Sequence, residues 1–151
     1  MAVLHLMVGL PCSGKTTRAR QLEKQTNALL LTTDVWHLRL YGSDVDTPEH
    51  DVRHAAIEKI MWDVAKRVLE LGCDVILDFG CWARSERDDF RRRAQQVGAQ
   101  FQIHYMEASR EELMRRLRER NRRAPEGVFV IPEADMLRYM DIFQPPSPDE
   151  L

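Results

Sequence analysis

Long apolar runs are missing from this sequence, which nowhere sustains the roughly 20 apolar residues that a membrane-spanning helix needs. No membrane partner is therefore expected. Cysteine is scarce: Cys12, Cys73 and Cys81 form no Cys-x-x-Cys pair, and an odd set of three suits a reducing cytoplasm. Excess charge of either sign is also absent. A net charge of −2 and a pI near 6.2 argue against a protein built to grip long nucleic acid by its backbone, although local basic patches survive within that average. The first apolar run, Val3 to Val8, follows neither a basic leader nor a cleavage site, so a signal peptide is not expected. There is no internal repeat, no inserted domain and no His-Glu-x-x-His pattern. What remains, with 44% hydrophobic and 30% charged residues in 151 positions, reads as one soluble domain spanning the whole chain.

Against those absences stands one strong motif. Val3 to Val8 runs into Gly9-Leu10-Pro11-Cys12-Ser13-Gly14-Lys15-Thr16 and then into the helix-compatible Thr17 to Lys24. Two glycines separated by four residues and followed by Lys-Thr, between a strand and a helix, match a polyphosphate-binding loop. Glycines let backbone N–H groups turn inward on the phosphates, and the helix N-terminus adds positive potential. A nucleoside triphosphate is expected on Gly9, Pro11, Cys12, Ser13, Gly14, Lys15, Thr16 and Thr17, with Lys15 at the terminal phosphates and the Thr16 hydroxyl on Mg²⁺. The bland alternative is a glycine turn with Lys15 merely solvated. Cys12 lies inside the loop, where helix-end potential would lower its thiol pKa unless the residue simply fills the turn.

The remaining segments alternate between strand and helix patterns. The apolar run in 27–34 ends at Asp34, which would lie on the same rim as the loop or cap the helix from Val35 to Arg39. Residues 41–48 are turn-rich, and Pro48 opens a helix with Ile57, Ile60, Met61, Val64, Val68 and Leu71 at helical spacing, stopped by Gly72. His50 and His54 fall one turn apart, a spacing open to metal but read as surface or pocket histidines. The strand Cys73 to Asp78 places a carboxylate at its end, where it would hold Mg²⁺ or cap the turn at Gly80.

Ser85 and Asp88 start a helix reaching Val97; of its arginines, Arg84 and Arg87 lie nearest the rim. Residues 100–107 alternate as a strand, and Ser109 with Glu112 forms a capping box. The six arginines between Arg115 and Arg123 precede the loop at Ala124, as a lid over a triphosphate or as a solvated face. Pro132 opens a last helix with Met136, Leu137, Met140 and Phe143.

Taken together, these motifs resemble the small phosphate-loop kinases typified by polynucleotide 5′-hydroxyl kinases and zeta-toxin-like kinases. The matching residues are the loop, Thr33-Asp34, Asp78 with Arg87, and Arg116 with Arg120 before Val128 to Pro132. The resemblance implies a three-layer α/β/α fold, adenylate-kinase-like, with a parallel sheet of four or five strands in the order 2-3-1-4 and an arginine-rich lid over about 115–132.

It further implies ATP and Mg²⁺ as cofactors. Lys15 would hold the β- and γ-phosphates, Thr16 and Asp78 the metal, and Arg120 the transferring group with Arg116 close by. Asp34 would take or orient the acceptor hydroxyl's proton, with Arg84 and Arg87 also in the acceptor region. A small-molecule or nucleotide hydroxyl is the expected acceptor. A nucleic-acid 5′-hydroxyl is the nearest rival, and an ATP sensor or plain ATPase is the reading from another class.

Overall fold

The computed structural model describes residues 1–151. Its elements are β1 (Val3–Val8), α1 (Lys15–Thr26), β2 (Leu29–Thr32), α2 (Thr33–Tyr41), α3 (His50–Glu70), β3 (Val75–Gly80), α4 (Arg84–Gln96), β4 (Gln100–Tyr105), α5 (Arg110–Arg123) and α6 (Glu133–Ile142), then a short 3₁₀ turn at Pro148–Glu150. Four strands form one sheet in the order β2-β3-β1-β4, and every pairing is parallel. Parallel strands need crossover helices, which cover both faces and so permit near-continuous apolar strands. The pleat then sorts the core. Leu4, Leu6, Val8, Val75 and Leu77 pack on Ile57, Met61, Ala65 and Leu69 of α3 and on Phe90 and Ala94 of α4. Met7 and Ile76 face the other way, onto Ala19 and Leu22 of α1. A third cluster joins Leu10 to Leu113, Met114 and Leu117 of α5, Met136 and Met140 of α6, and Phe129 and Ile131 between them.

Two boundaries differ from expectation in a way that matters for the site. The third strand starts at Val75 rather than Cys73 and continues to Gly80, because a register shift between Met7 and Val8 pairs Val8 with Gly80. Asp78 therefore lies within the strand, opposite Met7 and Thr32, rather than at its end. The residue at the N-cap of α2 is Thr32, which puts Asp34 in the first helical turn instead of at the cap. Ser109 does cap α5, its hydroxyl accepting from the Glu112 amide at 3.2 Å, but the Glu112 carboxylate is taken by Arg115 and Arg116 rather than closing the box.

The C-terminal residues dock on α4. Glu150 and Arg87, 2% and 1% exposed, pair in a two-pronged contact of 2.8 and 3.2 Å. The same guanidinium donates to the carbonyls of Cys81 at 3.0 Å and Trp82 at 3.1 Å. Arg84 turns outward to Asp149 at 2.6 Å and Ser147 at 2.8 Å. The expectation that Arg84 and Arg87 reach an acceptor is thus corrected: Arg87 is a buried clamp on the turn after β3, and Arg84 is a surface partner of the C-terminal segment. Removing one member of a buried pair leaves the other charge uncompensated, so Arg87→Met is expected to cost about 3 kcal/mol in urea unfolding. Arg84→Ala, at the exposed pair, should leave unfolding nearly unchanged.

Candidate active site

The loop after β1 is held open by its carbonyls. Gly9 O accepts from Trp82 Nε1 at 3.2 Å, and Cys12 O accepts from Arg116 Nη1 at 3.0 Å. The Gly9 amide donates to Gly80 O and the Ser13 amide to Leu10 O. The amides of Gly14, Lys15 and Thr16 donate to no protein group. Cys12 and Gly14 have φ of 68° and 94° on either side of Ser13, an alternation that curls amides around an anion. Glycine is required at position 9 by space, since a Cβ there would sit 2.6 Å from Ser13 Oγ and 3.1 Å from the Met106 carbonyl. Burial pushes the Cys12 thiol up, outweighing the opposing pull of Arg120, Lys15 and Arg116, which reverses the expected direction for this cysteine.

Asp78 closes the inner side of the loop. Its Oδ2 accepts from Thr16 Oγ1 at 2.7 Å and Thr32 Oγ1 at 3.2 Å. Its Oδ1 is buried without a partner, as are Ser13 Oγ and Arg120 Nε. Because Thr16 spends its proton on Asp78, its oxygen lone pairs stay free, and a hydroxyl oxygen beside an orphaned carboxylate oxygen is a donor set suited to Mg²⁺.

The arginines of α5 divide by direction. Arg115 pairs with Glu112, Arg118 with Glu133, and Arg122 and Arg123 with Glu119, all on the outer surface. Arg116 and Arg120 turn the other way. Arg116 bridges Glu112 and the loop, and Arg120 Nη2 donates to Phe129 O at 3.2 Å. Asn121 fixes the strap that follows, exchanging hydrogen bonds with the Ile131 backbone at 2.7 and 3.3 Å.

Two cavities meet at this loop. One, about 350 Å³, is lined by Pro11 to Thr17 without Ser13, by Arg20 and Arg120, and by the strap residues Glu126 to Val128. The other, about 340 Å³, extends past Phe129 and Ile131 to α3, α4 and the turn after β3. Both are lined by Pro11, Lys15, Thr16 and Asp34. Asp34 is half exposed at this junction, 3.9 Å from His54 Nε2.

The histidines form a cluster of their own. Asp44, 4% exposed, accepts at Oδ1 from His37 Nε2 and His50 Nδ1, both at 2.6 Å, and at Oδ2 from Arg53 at 3.2 Å. With its proton on Nε2, His37 accepts at Nδ1 from His54 Nδ1, 3.1 Å away. His54 thus pairs with His37 rather than with its sequence neighbour His50. The His37, Asp44 and His50 ligand atoms lie within 4.8 Å of one another, but they already satisfy each other and Arg53, so the cluster acts as a latch between α2 and α3. Burial opposes ionisation of Asp44, yet hydrogen bonds from His50, Arg53 and His37 outweigh it and bring its pKa down to about 2. Trp82, Phe129, Tyr139, Glu58 and Glu86 also line the second cavity, and no local motif singled them out.

A parallel sheet covered by helices on both faces, with this loop at the carboxyl end of its first strand, defines a three-layer α/β/α P-loop fold. The chain belongs to the AAA domain family AAA_33, whose model matches residues 4–146. Solved structures agree on the fold. A putative kinase from Chloroflexus aurantiacus J-10-fl superposes with a TM-score of 0.76 at 17% identity, covering 91% of this chain and 74% of that one. A chain of the Pnkp1/Rnl/Hen1 RNA repair complex gives 0.75 at 23%, covering 93% of this chain but only 43% of the larger partner. Kti12 from Chaetomium thermophilum, solved with ADP-AlF3, gives 0.72 at 23%, covering 97% and 82%. Comparison with curated protein sequences gives no match. No helix is long and apolar enough to cross a membrane.

Two measurements check this geometry. Lys15→Ala should weaken nucleotide binding at least tenfold, about 1.4 kcal/mol, in calorimetry. Asp44 titrates lower in the folded chain than its ordinary 3.8, so its contribution to stability is complete above about pH 5 and is lost as pH falls towards about 2. The decline in unfolding free energy over that range should be shallower in Asp44→Asn.

Proposed function

We propose that the chain is a Mg²⁺-dependent phosphotransferase that moves the γ-phosphoryl group of ATP to the hydroxyl of a small molecule. The observation that carries this reading is the meeting of two cavities at Lys15, Thr16 and Asp34. A plain ATPase needs only the first cavity. A second one, opening on a carboxylate beside the phosphate loop, gives an alcohol a place to stand in line with the outermost phosphorus.

The unpaired amides of Gly14, Lys15 and Thr16 take the phosphate oxygens, and Lys15 adds a point charge at the β- and γ-phosphates. Thr16 and Asp78 would hold Mg²⁺, which when bound neutralises charge on the β- and γ-oxygens. Asp34 orients the acceptor hydroxyl and receives its proton as the new O–P bond forms and the bond from the γ-phosphorus to the β,γ-bridging oxygen breaks, releasing ADP. Arg120 and Arg116 stabilise the charge on the transferring group, and the free Nε of Arg120 is available for that contact. Little covalent work falls to the protein in such a transfer, so placement of these charges supplies the rate.

Incubation with γ-labelled ATP and a panel of hydroxyl compounds tests the reading: label should appear on an acceptor, not only in free phosphate. Asp34→Asn should retain nucleotide binding while transfer falls by about 10²–10⁴-fold, the range for loss of a positioned acid or base. Unchanged transfer would remove Asp34 from the mechanism.

A further inference from the structure

Of the 24 acidic side chains, eleven have an arginine within 4.0 Å, among them Asp44, Asp88, Asp89, Glu112, Glu119 and Glu133. The cavity beside Asp34 gathers four acids of the other kind. Asp34, Asp51, Glu58 and Glu86 line it together, and none of them has a lysine or arginine within salt-bridge distance; the His54 ring lies 3.6 Å from Glu58 and 3.9 Å from Asp34. Of the 22 lysines and arginines in the sequence, only Lys15 contributes to the lining, and the phosphate loop claims it. Asp78, 5% exposed, is a fifth acid on this lining, and its one unpartnered carboxylate oxygen belongs with Thr16 to the Mg²⁺ donor set. The walls add aromatic faces, with the Trp82 and Tyr139 rings 4.8 Å apart between centroids.

Carboxylates without cations, set beside electron-rich rings, are the surroundings that attract an ammonium group and repel an anion. We infer that the acceptor is an alcohol bearing one or more ammonium groups, of the amino-sugar or aminocyclitol kind, held at Glu58 and Glu86 while its hydroxyl meets Asp34. This rests on the phosphotransferase reading and narrows it. A nucleic-acid end or a sugar acid would bring negative charge against a lining of five acidic side chains with one committed lysine to offset them.

Proton occupancy agrees with this assignment. Burial, with Glu86 and then Asp34 adding repulsion, pushes Glu58 up to about 8, so at neutral pH it holds a proton. Burial also raises Glu86 against the pull of Arg87, whose guanidinium is engaged by Glu150. Across the rim, Lys59 and Arg93 share an outer hollow with Glu58 and Glu86, and Arg93 is held by Asp89 at 2.7 Å. Burial keeps His54 below its ordinary value, so it supplies little compensating charge at neutral pH. An ammonium arriving beside Glu58 would expel its proton.

Titration calorimetry on the full chain with Mg²⁺ and a non-hydrolysable ATP analogue tests the inference, using sets matched except for charge: glucosamine, N-acetylglucosamine and gluconate, and kanamycin with its N-acetylated form. The amines should bind at least about tenfold tighter than their neutral and anionic counterparts. They should also release a proton at pH 7, seen as a dependence of the heat on the buffer. Glu58→Gln combined with Glu86→Gln should abolish the preference, and Glu86→Gln alone, at the cavity surface, should reduce it if the double variant does not fold. Neutral or anionic members binding as well as the amines, or no amine binding, would overturn the inference.

A parallel incubation with γ-labelled ATP separates the two readings. Label on gluconate or on a 5′-hydroxyl oligonucleotide, with none on the amines, keeps the phosphotransferase and removes the cationic acceptor. Charge-selective binding of amines without label on any compound supports the cation site and removes the transfer.

Discussion

The carboxylate of Asp78 is the constraint on which the rest of this site depends. One of its oxygens gathers the hydroxyls of Thr16 from α1 and Thr32 from β2, so three elements converge at the carboxyl edge of the sheet. The other oxygen has no protein partner although the residue is buried. A buried polar group left unpaired costs on the order of 1–3 kcal/mol. The same deficit recurs in the inward amides of the loop, in Ser13 Oγ and in Arg120 Nε. Unsatisfied donors and acceptors concentrated at one point make a site whose polar groups are arranged before any ligand arrives.

The arginines illustrate how one residue type is put to three uses. Along α5, most pair with glutamates within a turn or so and cover the surface, where such pairs add little to stability. Arg116 and Arg120 turn towards the loop and strap, bringing two cations to the phosphate side. Arg87 does neither. By holding the Cys81 and Trp82 carbonyls it sets the turn after β3, and Trp82 in turn holds the Gly9 carbonyl. A buried ion pair with Glu150 thereby reaches the phosphate loop through two intermediates.

Helix packing assembles the second cavity, and no single segment contains it. Asp44 draws His37 of α2 and His50 of α3 onto one carboxylate oxygen, and Phe129 of the strap lies edge-on to both rings. That latch holds α2, with Asp34 in its first turn, against the α3 face that carries His54 and Glu58. Acids of α3 and α4 then line one cavity to which no arginine contributes.

Local pattern carried the phosphate loop, the strand and helix alternation and the cap at Ser109, because each depends on neighbours within a few residues of one another. Strand order came from resemblance, since nothing in an apolar run says which other run lies beside it. The role of Arg87 was misread because its partner lies 63 residues away, and an arginine near a strand rim is indistinguishable in sequence from one that binds a ligand. The pairing of His37 with His54 and the gathering of Asp34, Asp51, Glu58 and Glu86 were equally hidden. From its residues alone this protein was committed to a parallel sheet and a phosphate-binding turn, both set by short-range spacing. Which charges were neutralised and which were left facing a cavity was decided only by tertiary packing, because charge compensation depends on distances in space between segments far apart in the chain.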